Sequence, residues 1–192
     1  MFCAMLDAVI RRATKNDRDI YAQCLGNEDW RNLYGLSFSA QNYSSVLHSF
    51  APLNSHELQC FICETKNGAV GFVNLLSQGE GDIVMAGGVL PQLRESGLGA
   101  VFYAHIIYYA MKLSTTKRIV VQVENNNSIS KKMQQYFGFI EERNISSSTK
   151  KKFILTRKSF LDKIAIYQAV MEKYSCEVQD GQKTWQGSCY NQ

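Results

Sequence analysis

Val89-Leu90-Pro91-Gln92-Leu93-Arg94-Glu95-Ser96-Gly97-Leu98-Gly99-Ala100 joins one apolar run, Ile83 to Leu90, to a longer one, Val101 to Leu113. Its centre reads Arg-x-x-Gly-x-Gly, with two glycines where a loop turns into a helix. Glycine tolerates positive φ and lets a ligand approach the backbone closely. The first turn of a helix leaves N–H groups without partners and carries the positive end of the helix dipole. A strand, a glycine-bearing turn and a helix start together read as an anion site, most simply one for a pyrophosphate.

The rest of the chain sets bounds on that reading. Its 192 residues suit one domain with an appendage. With 45% hydrophobic and 20% charged residues, the chain can bury an ordinary globular core. Net charge is +4, and Lys150-Lys151-Lys152 is the only basic triple. Scattered basic residues do not indicate nucleic-acid binding, whereas a small basic excess suits a polyphosphate. Of the cysteines, only Cys60-x-x-Cys63 has suggestive spacing. It lies in a strand-like run, where residues three apart point to opposite faces. No second pair completes a zinc site, so no metal is expected. The N-terminus lacks the basic start of a signal peptide, and no apolar run reaches a membrane span. The expectation is a cytoplasmic protein with reduced thiols, engaging neither membrane nor nucleic acid.

Outward from the loop, the elements follow in order. Ala8 to Ala13 reads as a strand, and Thr14 with Asp17 as a weak capping box for a first helix. Residues 26 to 56 alternate polar and aromatic, with helical spacing in Tyr43, Val46, Leu47 and Phe50. Glu57 to Lys66 and Ala69 to Leu76 are strands around the hairpin signal Asn67-Gly68. Asp82 to Leu90 is a third antiparallel strand, with an unusual Gly87-Gly88 inside it. Gly97 to Ser114 is a helix, apolar nearly all round and so packed on several sides. Lys117 to Val123 is a buried strand. Asn127 caps a helix that Gly138 closes, and two strands follow, Phe139 to Ile145 and Lys152 to Thr156. The organisation is a main domain over 1–157, an amphipathic helix over 158–174 that packs on the domain or on a partner such as a second copy, and a polar tail over 175–192.

This order, with Val89-Leu-Pro91, Arg94-x-x-Gly97-x-Gly99, Val123-Glu124, Asn127-x-x-Ser130 and Tyr136-Phe-Gly138-Phe139, resembles the GNAT superfamily of acyl-CoA N-acyltransferases over about residues 8 to 156. Asn127-x-x-Ser130 is most similar to the ribosomal-protein N-terminal acetyltransferases and their amino-sugar relatives. The resemblance implies an α/β (α+β) fold: a mixed central sheet of about 6–7 strands, splayed between strands 4 and 5, with helices on both faces. It implies acetyl-CoA as donor and a primary amine as acceptor, either a small molecule such as an amino sugar or a peptide N-terminus. Val89, Leu90, Arg94, Glu95, Ser96, Gly97, Leu98, Gly99 and Ala100 would then hold the cofactor, with the backbone of Arg94 to Ala100 on the pyrophosphate. Asn127 and Ser130 would face the pantetheine arm, and Lys132 or Lys131 the 3′-phosphate. The arm is peptide-like and would pair with the open edge of strand 82–90, and Gly87 and Gly88 would remove side chains near the place where the thioester approaches. The alternative is a non-catalytic acyl-CoA-binding sensor or interaction protein of the same fold.

Several positions depart from the family pattern. Glu95 places a carboxylate in the phosphate loop; at ~6 Å in a water-like dielectric each charge pair costs about 0.7 kcal/mol. Pairing with Arg94 would relieve it. Many relatives carry a tyrosine, a proton donor to the departing thiolate, where this chain has Gln134. Tyr136 points elsewhere round the helix. Ser130 is the candidate for that role. Glu124 is the first candidate for general base, and Glu64 the second. His105, on the buried helix, reads as a core residue, while His48 and His56 lie on the acceptor side.

Overall fold

The computed structural model describes residues 8–24, 58–142, 149–174, 176–179 and 184–186. The segment with Tyr43, His48, Phe50 and His56, and the Ser-rich turn before Lys150, lie outside them. One mixed sheet organises the described residues. Its strands are β1 (Ala8–Arg12), β2 (Leu58–Thr65), β3 (Gly68–Ser77), β4 (Asp82–Val89), β5 (Arg118–Glu124), β6 (Ile140–Glu141), β7 (Lys150–Thr156), β8 (Cys176–Gln179) and β9 (Thr184–Gln186). Their spatial order is β6-β7-β5-β4-β3-β2-β1-β8-β9. The helices are α1 (Arg18–Cys24), α2 (Leu98–Lys112), α3 (Ser128–Tyr136), α4 (Arg157–Asp162) and α5 (Ile164–Lys173).

Nine strands exceed the six or seven expected, because the polar tail adds β8, parallel to β1, and β9 beyond it. The polarity of the tail hid alternation: Cys176 and Val178 are buried, while Glu177 and Gln179 are not. The hairpin turn also sits one residue early. Lys66 and Asn67 make the turn, and Gly68, at φ 111°, is the first residue of β3. The expected helix over 158–174 is broken at Lys163, where the chain packs over Gly138.

The sheet carries a separate core on each face. On one, Tyr21 and Cys24 of α1 pack against Cys60, Ile62, Phe72 and Leu90. On the other, α2 and α5 pack against Phe61, Cys63, Val121, Phe137 and Phe153. Cys60 and Cys63 therefore face opposite sides, as their spacing requires. Tyr167 of α5 is buried between Phe137 and Phe160, and its hydroxyl donates to the Phe137 carbonyl at 2.6 Å. Arg157 donates to the Leu113 and Thr116 carbonyls, supplying a cation where α2 ends. The C-terminal helices thus belong to the core of this same chain. No helix among the described residues is long and apolar enough to cross a membrane.

What positions a site is the junction of β4 with β5. The parallel ladder covers only Asp82–Val84 against Arg118–Val120. Arg118 Nε donates to Asp82 at 2.8 Å and pins that end. Beyond it the strands part, β4 following β3 to Val89 and β5 following β7 to Glu124. The result is a V whose mouth lies at the C-terminal ends of both strands, where a peptide-like ligand can pair with an open edge. α2 starts at the end of β4 and α3 at the end of β5, so two helix N-termini flank the mouth.

Candidate functional site

The first flank is the stretch 89–100. Leu90 is buried and donates its N–H to the Val70 carbonyl at 2.8 Å, fixing the end of the strand. Pro91–Leu93 forms one 3-10 turn, closed by Arg94 N–H to Pro91. The Ser96 hydroxyl donates back to Leu93 at 2.7 Å and accepts weakly from Leu98 N–H at 3.3 Å. Gly97, the N-cap of α2, sits at φ 80° with no side chain to cap the helix. The N–H groups of Glu95, Gly97 and Gly99 have no acceptor among the described residues. Three unsatisfied donors at the positive end of a fifteen-residue helix are what an anion requires.

Glycine serves different needs along this stretch. At Gly97 a Cβ would meet open space, so its backbone angle decides the residue. At Gly99 a Cβ would come within 2.8 Å of Val89 Cγ2, so its absence seats α2 against β4. Gly88 was expected to clear space for a thioester. A Cβ there would instead press on Phe72 and Cys24, which shows that it clears space for α1. Glu95 is exposed and at φ 71°, a conformation that costs a side-chain-bearing residue about 1–2 kcal/mol. Its expected pairing with Arg94 is not among the ion pairs of the described residues.

The second flank is α3. Asn127 accepts Ser130 N–H on its side chain at 2.9 Å, so the expected N-cap is present. Gly138, at φ 86°, closes the helix: Gly138 N–H bonds to Gln135, and Phe139 N–H to Gln134. This is the Schellman arrangement. Lys131 folds back to the Asn125 carbonyl at 2.7 Å. Lys132 is exposed, which leaves it the better placed of the two for a phosphate. Gln134 is 1% exposed and Tyr136 57%, so the tyrosine does point elsewhere.

The candidate bases differ. Glu64 is ion-paired with Arg11 at 3.0 Å, and Arg11 also holds Asp17, which engages Glu64 in the packing of β1 on β2. Glu124 lies at the mouth of the V, 3.4 Å from Lys150 Nζ, and its buried Oε1 accepts no hydrogen bond among the described residues. Lys150, Lys151 and Lys152 pair in turn with Glu124, Glu141 and Glu142, so the basic triple is neutralised within the fold. His105 is buried with Nδ1 2.8 Å from the Val101 carbonyl. Burial lowers its pKa against the pull of the Val101 and Tyr174 carbonyls, so it stays neutral in the core. Burial raises the thiols of Cys24, Cys60, Cys63 and Cys176, pushing Cys24 to about 12 even with Arg94 nearby. None of these four is poised as a nucleophile. The described residues contain no group of three or more side chains suited to a metal ion.

Two partners were missed from sequence. Lys150 meets Glu124 through the register of β5 with β7. Tyr103 on α2 donates its hydroxyl to Gln134 Oε1. Neither has a local signal, since each depends on a contact made across the fold.

The sequence matches the acetyltransferase (GNAT) family over residues 27–139, more than half of the chain. The chain belongs to that family. It is an acyl-CoA N-acyltransferase that uses acetyl-CoA as donor and an amine as acceptor. A search of curated protein sequences finds no match. Among solved structures, spermidine N-acetyltransferase from Vibrio cholerae in complex with CoA and spermine aligns with TM-score 0.67 at 13% identity, covering 81% of this chain and 98% of that one. An uncharacterized protein from Bacillus halodurans aligns with TM-score 0.68 at 15% identity, covering 86% and 91%. At such identities the likeness is one of fold.

Proposed function

We propose that this protein transfers an acetyl group from acetyl-CoA directly to an uncharged primary amine of an amino sugar or a peptide N-terminus. The open N-terminus of α2 at the mouth of the V carries this reading. The N–H groups of Glu95, Gly97 and Gly99 hold the pyrophosphate, and Arg94 and Lys132 add positive charge. The pantetheine arm runs along the free edge of β4, within reach of Asn127 and Ser130 on α3. The amine loses a proton, through water, to Glu124, which stands at the mouth of the V with Oε1 3.4 Å from Lys150 Nζ. Among the described residues the thiols are buried and protonated, which favours direct attack over an acyl-cysteine intermediate.

The spermidine acetyltransferase neighbours raise a polyamine as the competing acceptor. A polycation needs several converging carboxylates. On the acceptor side, residues 25–57 contain only three carboxylates, Glu28, Asp29 and Glu57. A less charged amine, as in the amino-sugar and ribosomal N-terminal acetyltransferase subgroup, fits better. The test is CoA release against a panel containing amino sugars, free and nucleotide-linked, short peptides and spermidine, with acetyl-CoA binding measured by calorimetry. The highest kcat/KM is expected for a sugar or peptide amine. Preference for spermidine reassigns the acceptor, and no acetyl-CoA binding at millimolar concentration overturns the reading.

A further inference from the structure

One polar chain, centred on the buried Gln134, links the two helices that flank the V. Tyr103 of α2 donates its hydroxyl to Gln134 Oε1 of α3, and Gln134 Nε2 faces Ser130 Oγ at 3.5 Å. Tyr103 lies against Phe137 and Phe139, and Gln134 is 1% exposed. Burial raises the phenol well above its ordinary pKa, so Tyr103 keeps its proton and remains a donor. A phenol donating to the amide oxygen leaves the amide nitrogen turned toward Ser130. That nitrogen can only donate. Ser130 Oγ therefore receives a hydrogen bond, and its own single proton is left to point away from Gln134. No acceptor for that proton is present among the described residues. Ser130 stands in the first turn of α3, beside the mouth of the V.

We propose that Tyr103 and Gln134 are positioning residues that commit the Ser130 hydroxyl to donating into the groove, toward the sulfur that departs during transfer. This rests on the acetyl-transfer reading above. As the amine nitrogen bonds to the acetyl carbon, the carbon–sulfur bond breaks and its electron pair passes to sulfur. Ser130 donates a hydrogen bond to the charge developing there. The proton shed by the amine reaches the thiolate through solvent, so Ser130 ends the cycle unchanged. The chain has a direction, phenol to amide to hydroxyl, and reversing the amide would consume the Ser130 proton instead.

Tyr103→Phe frees the amide to turn and should lower kcat about fivefold, with KM for acetyl-CoA within twofold. Gln134→Glu keeps the shape but installs a group that only accepts when ionised. At neutral pH its kcat should fall about tenfold, comparable to Ser130→Ala. Its ratio to wild type should rise as pH falls and the carboxyl gains a proton to donate. In a Ser130→Ala background, neither substitution should lower kcat further. A pH-independent ratio, or equal losses with and without Ser130, overturns the proposal and leaves Tyr103–Gln134 as a helix brace. Nitrogen-15 NMR of the full-length wild type separates this from failure of the acetyl-transfer reading. The Gln134 side-chain amide should show slow exchange that Ser130→Ala and Tyr103→Phe abolish, whether or not any amine is turned over. Fast exchange in the wild type also overturns it.

Discussion

The two strand-to-helix junctions at the mouth of the V solve the same problem in opposite ways. Where β5 meets α3, side chains join the backbone in closing the turn, and among the described residues only the N–H groups of Asn126 and Ile129 are left over. Asn127 N–H bonds to Glu124, Ser128 N–H to Asn126, Ser130 N–H to the Asn127 side chain, and Lys131 reaches back to Asn125. Where β4 meets α2, the cap is a glycine and three N–H groups are left over. That junction also holds Glu95 and Gly97 at positive φ. The left-handed conformation of Glu95 lowers stability, and the free N–H groups bond only to water until a ligand arrives. A fold retains them where a ligand makes up the loss on binding. In the proposed function, the closed junction supplies side chains to the ligand and the open one supplies backbone.

The largest effect should come from closing the open junction by force. A Cβ on residue 99 already comes within 2.8 Å of Val89 Cγ2, and the branched methyls of Gly99→Val would push α2 off β4. Overpacking of this kind costs about 1–3 kcal/mol. Misplacing the N–H groups should weaken acetyl-CoA binding at least about thirtyfold, roughly 2 kcal/mol. Calorimetry and thermal melting read the two effects separately. A variant that melts lower yet binds acetyl-CoA unchanged would place the phosphate site elsewhere.

How much of this contrast was legible follows from its range in sequence. The loop, the Asn127 cap, the Gly138 closure and the opposed faces of Cys60 and Cys63 each depend on a few neighbouring residues. Local pattern carries them. The splay follows from the family order of elements, not from any local signal in β4. Long-range pairings were invisible: Lys150 on Glu124, Tyr103 on Gln134, Arg11 on Glu64, and β8 beside β1. The same limit misassigned Gly88. A glycine in a strand announces a close approach without saying from which side, and Phe72 and Cys24 of the α1 face supply it.

A middle-sized effect tests the closed junction. Asn127→Ala removes the cap and should cost about 1 kcal/mol of stability, seen as a lower melting temperature. Asn127→Asp keeps an oxygen for Ser130 N–H but loses the amide donor. Stability should then hold, while KM for acetyl-CoA rises several-fold because the arm loses a hydrogen bond. If KM stays put in the aspartate variant, Asn127 serves the helix alone and the junction is closed to the ligand as well.

The smallest effect is the sharpest probe of why the open junction carries Glu95. Two separable costs meet there: a left-handed conformation of about 1–2 kcal/mol, partly offset by the greater freedom a glycine loses on folding, and a carboxylate near phosphate of about 0.7 kcal/mol. Glu95→Gly removes both. It should raise stability by about 0.5–1 kcal/mol and tighten acetyl-CoA binding about threefold. Glu95→Gln removes only the charge, so binding should tighten by the same factor with no gain in melting temperature. The gain should also shrink as salt is added, because screening already weakens the repulsion in the wild type. If Glu95→Gly stabilises the fold but leaves binding unchanged at low salt, the side chain faces away from the phosphates. The positive φ at residue 95 would then serve to aim its N–H, with the carboxylate a bystander.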